Sequence, residues 1–403
     1  MAATPDVVVI GGGVQGAAVA WELSRRGAKV LVLEAGEAGA ATPASAGMLG
    51  PLSLEKQDDP LLELYVRGRD LYREAAPVLK AESGVDIGLW SEGIYCVAFS
   101  EGEEAELKDG SAWLRQQSIN LDWLSPEDLH ERCPGIAKDA RGATFVPEDG
   151  AIDPPATLKA LRLAAEFHGA QVIQGERALE LIRDGDRIAG VKTSAGSRIG
   201  GAVVIAAGCW SGRLLGLPRP LSVEPMRGQM AALDWPKGEP GAVVFSHAGY
   251  VLKRGHEALV GATMEYAGFQ PAVTRDGITG VLQGGERLYP ALKGAAVRRT
   301  WAGLRPASPD DRPFIGRDPE TANLFYATGH GRRGILMSLV TAEIVAQLHA
   351  GESVRHDLSA VDPGRFWHLL APNEPTGNVT RDMLKSLSRL SPFPGSKPSQ
   401  PTG

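Results

Sequence analysis

Cysteine is scarce in this chain. There are three in 403 residues, Cys96, Cys133 and Cys209, far apart and odd in number. That excludes a disulfide framework and a CxxC metal knuckle, so no metal site is expected, and a reduced, cytoplasmic compartment fits best. Long apolar runs are missing too. No stretch approaches the roughly 18 residues of a membrane span. The opening residues, MAATPDVVVIGGG, lack a basic segment and pass straight into a β-branched run, so no signal peptide is expected. Positive charge is in deficit: 42 Lys and Arg against 48 Asp and Glu give a net charge of −6. Such a surface does not attract a polyanion, which argues against nucleic acid as a partner. No internal repeat is visible. With 43% hydrophobic and 22% charged residues, the chain has the balance of a soluble globular protein. At about 150 residues per domain, its length suggests two to three units.

What the chain has in excess is glycine. Its 50 glycines are about 12% of the residues, against a usual share of about 7%. No G-X-Y period accompanies them, so the excess falls in turns and close backbone approaches. The first cluster is the most informative. Asp6 to Ile10 (DVVVI) reads as a strand, Val14 to Arg26 as an amphipathic helix stopped by Gly27, and Lys29 to Leu33 (KVLVL) as a second strand. Between the first two lies GGGVQG, residues 11–16, which satisfies G-x-G-x-x-G. Glu34 ends the second strand, 23 residues after Gly11. Strand, turn, helix and acidic residue together are the context a dinucleotide site requires. Gly11 makes the tight turn, Gly13 admits the pyrophosphate, and Gly16 lets helix and strand pack closely. The phosphates face the free N–H groups and positive dipole end of the helix. A carboxylate at Glu34 suits both ribose hydroxyls and disfavours a 2′-phosphate. The motif alone leaves FAD and NAD open.

Glycine-bounded apolar strands return near 203–208 and 324–329. This suggests a nucleotide domain assembled from separated segments. Helices are expected over 58–82, 154–168, about 274–288 and Ile335 to His349. Asp184-Gly185 between apolar runs reads as a hairpin. The acidic run EGEEAE, 101–106, reads as a solvated face or turn.

The sequence resembles the D-amino-acid oxidase family of flavoproteins, and most of all its glycine oxidase branch. The resemblance is carried by VVVIGGGVQGAAVAWELSRRGAKVLVLEAG, ASAGMLGP, VVIAAGCWS, GYVLKR, LVGATM, WAGLRPASPDDRPFIG and NLFYATGHGRRGILMS, in the family's order over about 1–350. It implies an α/β fold: a Rossmann-like FAD-binding domain built from residues 1–84, 148–220 and 300–370. An inserted strand-rich substrate domain of mixed sheet plus helices takes 85–147 and 221–299. The Pro- and Ser-rich tail, 371–403, is expected to be mobile or surface-packed.

The resemblance further implies FAD contacts at Gly11, Gly13, Val14, Gly16 and Glu34. Ser45, Ala46, Gly47 and Met48 would pass the flavin ring, and the Val172 backbone would meet the adenine. Ala206, Ala207 and Gly208 would lie near the pyrophosphate, and Gly331, Arg332, Arg333, Gly334 and Ile335 near the flavin's pyrimidine edge. No cysteine follows Cys209 and no histidine falls in the first 100 residues, so non-covalent FAD is expected. Tyr250, Arg305, Arg332 and Met264 would form the substrate end. A guanidinium binds an amino-acid carboxylate bidentately, a tyrosine hydroxyl adds one bond, and methionine gives an adaptable apolar wall. Arg305 also fits a structural ion pair, Tyr250 a strand core and Met264 plain packing.

Glycine oxidases usually read GHFRNG where this chain reads GHGRRG. Gly331 would widen the pocket, and Arg333 would meet a second anionic group or solvent. His330 reads as polar filler. The implied reaction is hydride transfer from the Cα of glycine, sarcosine or a small D-amino acid to flavin N5, then hydrolysis of the imine to a 2-oxo acid. No protein base is required. Oxygen would be the acceptor, forming peroxide. A dehydrogenase of D-amino or cyclic imino acids feeding a quinone, and a flavoprotein subunit of a larger complex, are the alternatives. A homo-oligomer, dimer or tetramer, is compatible with the resemblance.

Overall fold

The structure is a computed structural model and describes residues 4–50 and 58–367. The expected tail, 371–403, lies outside the described residues. The chain opens as strand β1 (Val7–Ile10), helix α1 (Val14–Arg25) and strand β2 (Val30–Glu34). Helix α2 (Ala41–Ala44), β3 (Met48–Leu49) and the long α3 (Leu62–Ser83) follow. Then come β4 (Ile94–Ala98), α4 (Glu101–Gln116), β5 (Asp122–Leu124), α5 (Pro126–Arg132), β6 (Gly142–Val146) and β7 (Gly150–Ala151). Next are α6 (Pro154–Phe167), β8 (Gln171–Gln174), β9 (Ala178–Asp184), β10 (Arg187–Thr193), β11 (Gly196–Ile199) and β12 (Ala202–Ile205). After β13 (Glu224–Asp234), β14 (Val243–Ser246), β15 (Gly249–Arg254) and β16 (Glu257–Gly261) comes α7 (Arg275–Leu288). The described chain closes with β17 (Val297–Ala307), β18 (Phe314–Arg317), β19 (Leu324–Thr328) and α8 (Gly334–Ala350).

Two large sheets organise these elements. The first has the order β18-β19-β12-β1-β2-β8. Its strands run parallel except β18, which is antiparallel to β19. Central parallel strands are buried on both faces, which is why β1 and β12 read as unbroken apolar runs. Alternate side chains divide between two cores. Val7, Val9, Val32 and Val204 pack against α1, α3, α6 and α8. Val8, Ile10, Leu33 and Ile205 pack against the antiparallel β9-β10-β11 sheet. Strands more than 300 residues apart in sequence thus share one sheet. β12 lies directly between β1 and β19.

The second sheet has the order β17-β13-β16-β15-β14-β4-β6-β5. It is mixed, because β14 and β4 pair in parallel while the other pairs are antiparallel. One face is covered by α5 and α7 through Leu129, Val281 and Leu288. The other face, with Met230, Tyr250 and Leu252, meets Ala46 and Met48 of the N-terminal region. The acidic run 101–106 opens α4: Ser100 and Glu103 form a capping box, with Glu101 and Glu104 in the same first turn. Among the described residues, no helix is long and apolar enough to cross a membrane.

Candidate functional site

A cavity of about 1740 Å³ is lined by residues from both large sheets, well above the roughly 300–1,000 Å³ of a common small-ligand pocket. One end is the turn between β1 and α1. Gly11 has φ +101°, and a Cβ there would lie 2.5 Å from the Ala206 carbonyl oxygen at the end of β12. A Cβ on Gly16 would overlap the carbonyl oxygen of Gly11. Gly13 is different. Its added Cβ would meet only Thr42 Oγ1, at 3.4 Å, so the missing side chain is a cradle open to the cavity. No side chain of the N-cap residue, Gly13, closes the N-terminus of α1, although Val14 N donates to Thr42 Oγ1 at 3.0 Å. Glu34 accepts from Gly12 N at 2.7 Å through Oε2 and from Gly36 N at 2.8 Å through Oε1.

The walls come next. Segments 45–48, 206–208 and 331–335 all line the cavity. Arg254, from the second sheet, donates to the carbonyls of Ala46 and Ile152 at 2.5 and 2.7 Å and so fixes the first of these segments. Gly331 has φ +52°, and a Cβ there would meet nothing within 4 Å. The Arg333 guanidinium lies 4.8 Å from the Tyr65 ring centroid, over its face, and Arg332 is exposed at the rim. His330 is buried with Nε2 3.0 Å from Thr341 Oγ1. Burial pulls its pKa down to about 3, so its ring is neutral. Cys209 also lines the cavity, its thiol pushed up to about 12 by burial.

Arg305, Tyr250 and Met264 gather at the other end. Arg305 keeps partial solvent access through the cavity but is otherwise surrounded by protein. Its Nη1 donates to the Thr263 carbonyl at 3.0 Å. Among the described residues no carboxylate forms an ion pair with it, so the structural ion-pair reading has no partner there. Desolvation and then the charge of Arg332 pull its pKa down, and Tyr250 opposes them. The Tyr250 hydroxyl is buried and donates to Met230 Sδ at 3.2 Å. Burial pushes the phenol up to about 12, against the pull of Arg305 and Arg254. Met264 is 49% exposed, a rim residue rather than core.

Two expected contacts are not in the cavity lining. Gly16 lies behind the turn, packed on Gly11. Val172 pairs with Val32 within the sheet; the chain reaches the cavity only beyond it, at Gln174 and 176–179. Arg162 was not anticipated. From α6 it donates to the Gly12 carbonyl through Nε at 3.0 Å and Nη2 at 2.5 Å, and Nη2 lies 3.7 Å from Glu34 Oε2. Among the described residues, no group of three His, Cys, Asp or Glu is placed to hold a metal ion.

The model of the FAD dependent oxidoreductase family, DAO, matches residues 6–348. The chain belongs to this family. It is 34% identical over 361 residues to the glycine oxidase of Geobacillus kaustophilus, covering 88% of this chain and 95% of that one. It is 36% identical over 348 residues to the bifunctional protein ThiO/ThiG of Trichormus variabilis, covering 85% of this chain and 52% of that one. The chain thus spans about half the length of the bifunctional relatives it matches. The crystal structure of the Geobacillus kaustophilus glycine oxidase superposes with a TM-score of 0.86 at 32% identity, covering 90% of this chain and 99% of that one.

The cofactor of this family is FAD, and the residues present fit it. The Gly13 cradle and the α1 N-terminus suit a pyrophosphate, and Glu34 suits ribose hydroxyls. Glu34→Ala should weaken FAD binding about 10- to 150-fold, the weight of one charge-assisted hydrogen bond. Loss of the carboxylate also leaves Gly12 N and Gly36 N without their acceptor, which acts in the same direction. FAD titration of the apoprotein, read by quenching of flavin fluorescence, gives the number. Wild-type affinity would remove Glu34 from the ribose.

Proposed function

We propose that the chain oxidises the C–N bond of a small amino acid, such as glycine, sarcosine or a D-amino acid, with oxygen as the acceptor. The observation that carries this reading is Arg305. A partly desolvated guanidinium with no carboxylate partner among the described residues, set in a cavity beside a tyrosine hydroxyl, is suited to a ligand carboxylate. Bound FAD supplies the hydride acceptor for the substrate α-carbon, and the resulting imine hydrolyses to a 2-oxo acid and ammonia.

The protein's part is binding and orientation. Arg305 fixes the carboxylate. Tyr250 stays protonated at neutral pH, because burial holds its phenol at about 12, and it can exchange the weak Met230 sulfur acceptor for a carboxylate oxygen. His330 borders the cavity but its ring is almost wholly buried, neutral and paired with Thr341, so this scheme gives it no acid–base role. On this reading the six-stranded sheet carries the cofactor and the eight-stranded sheet the substrate. On this reading the FAD is held without a covalent bond, because no cysteine follows Cys209 and no histidine falls in the first 100 residues. Three buried free thiols suit a cytoplasmic location.

Anaerobic titration of the yellow holoprotein with glycine, sarcosine, D-alanine and D-proline tests the proposal. One of them should bleach the flavin absorption band, and air should restore it with release of peroxide. Slow return in air, with rapid return on adding a quinone, would favour a dehydrogenase. No bleaching by any of the four would overturn the small-amino-acid reading.

A further inference from the structure

Resting on Arg305 as the carboxylate partner, we infer that Gly228 and Gln229 of β13 position that guanidinium, Gly228 by leaving the slot in which it lies. In the β13–β17 register Arg305 stands opposite Met226, and Gly228 stands opposite Gly303. The Arg305 side chain therefore reaches two residues along β13. A Cβ added at Gly228 would lie 2.5 Å from both Cζ and Nη2 of Arg305, far inside the roughly 3.5–4.0 Å of a carbon contact. The guanidinium thus lies on the bare Cα of Gly228, which itself lines the cavity.

Gln229 fixes the other support. Its backbone N donates to Thr263 Oγ1 at 2.9 Å, and its carbonyl accepts from Thr263 N at 3.3 Å. Thr263 in turn offers the carbonyl that accepts from Arg305 Nη1. The fully buried Gln229 side chain accepts from Thr274 N at 2.7 Å and donates to Glu265 Oε1 and Thr274 Oγ1 at 2.7 and 3.0 Å. It ties both ends of the 263–274 loop, which carries Met264, to β13. Arg227 adds an ion pair to Glu265. The carboxylate site is therefore set before substrate arrives.

Gly228 differs from Gly11 and Gly16 in what blocks a side chain. There the obstacle is backbone; at Gly228 it is the free end of a flexible side chain. Gly228→Ala should leave the fold intact and displace the guanidinium. The test compares Gly228→Ala, Arg305→Ala and the double variant as FAD holoproteins. The readouts are FAD affinity, melting temperature and the Kd of acetate, a carboxylate without an amine, from its perturbation of the flavin band.

We expect Gly228→Ala to keep wild-type FAD affinity and melting while weakening acetate at least about tenfold. In the Arg305→Ala background the same change should add less than about twofold, because the group it displaces is gone. Wild-type acetate binding in Gly228→Ala beside a weakened Arg305→Ala, or equal weakening in both backgrounds, overturns this inference alone. Unchanged binding in Arg305→Ala overturns the reading of Arg305 and this inference with it. If Gly228→Ala fails to hold FAD, the double variant must recover it; failure to recover also overturns the inference.

Discussion

Arg305→Ala should raise KM for the amino-acid substrate about 10- to 150-fold, the weight of one charge-assisted hydrogen bond, and leave FAD bound. Two features make the effect large. The guanidinium is partly desolvated, so its attraction for a carboxylate is little screened. It also has no internal carboxylate among the described residues, so its charge is directed at a ligand. The same features set the sign of the stability change. A partly desolvated cation near Arg332, held among the described residues by the Thr263 carbonyl alone, costs desolvation energy without full compensation. Its removal should therefore leave the melting temperature unchanged or higher. A residue kept for packing would show the reverse, a fall in melting with little change in KM. Steady-state kinetics beside a thermal melt separates the two. An unchanged KM would remove Arg305 from the substrate site.

The nucleotide turn was legible in the sequence because everything it needs is local. Strand, GGGVQG, helix and Glu34 lie within 34 residues, and periodicity with glycine punctuation places each of them. The return of apolar strands near 203 and 324 was also legible, since a doubly buried strand leaves a continuous apolar run. The helices at Arg275–Leu288 and Gly334–Ala350 fall within a residue of the expected spans. What periodicity could not show is which residues meet across the fold. Arg162 sits on α6 with the pattern of an ordinary exposed cation; only the packing of α6 against α1 brings it to Gly12. Gly228 reads as one glycine among 50 until the β13–β17 register sets it beneath Arg305. A segment match likewise carries no strand register: in the structure Val172 stands beside Val32 in the sheet, and the chain lines the cavity at Gln174 and 176–179.

A contrast between Gly13 and Gly16 gives the sharpest check on the nucleotide site. Gly13→Ala should leave the apoprotein's melting temperature at the wild-type value. Gly13 has φ −66° and ψ −174°, which alanine tolerates, and the added Cβ meets only Thr42 Oγ1 at 3.4 Å. FAD affinity should nevertheless fall at least about tenfold, because the methyl stands where the pyrophosphate must approach the backbone and its hydrogen bonds are lost. Gly16→Ala should fail earlier. Alanine would favour the helix by about 1 kcal/mol. That gain is opposed by overlap with the Gly11 carbonyl, which is backbone and cannot rotate away. Helix α1 must lift from β1, and such overpacking costs about 1–3 kcal/mol or more. The apoprotein should melt lower, and the displaced helix end should hold FAD poorly. Melts of stripped protein beside FAD titrations read both predictions. Wild-type FAD affinity in Gly13→Ala would move the pyrophosphate away from this turn. A wild-type melt of Gly16→Ala apoprotein would show that α1 tolerates the displacement.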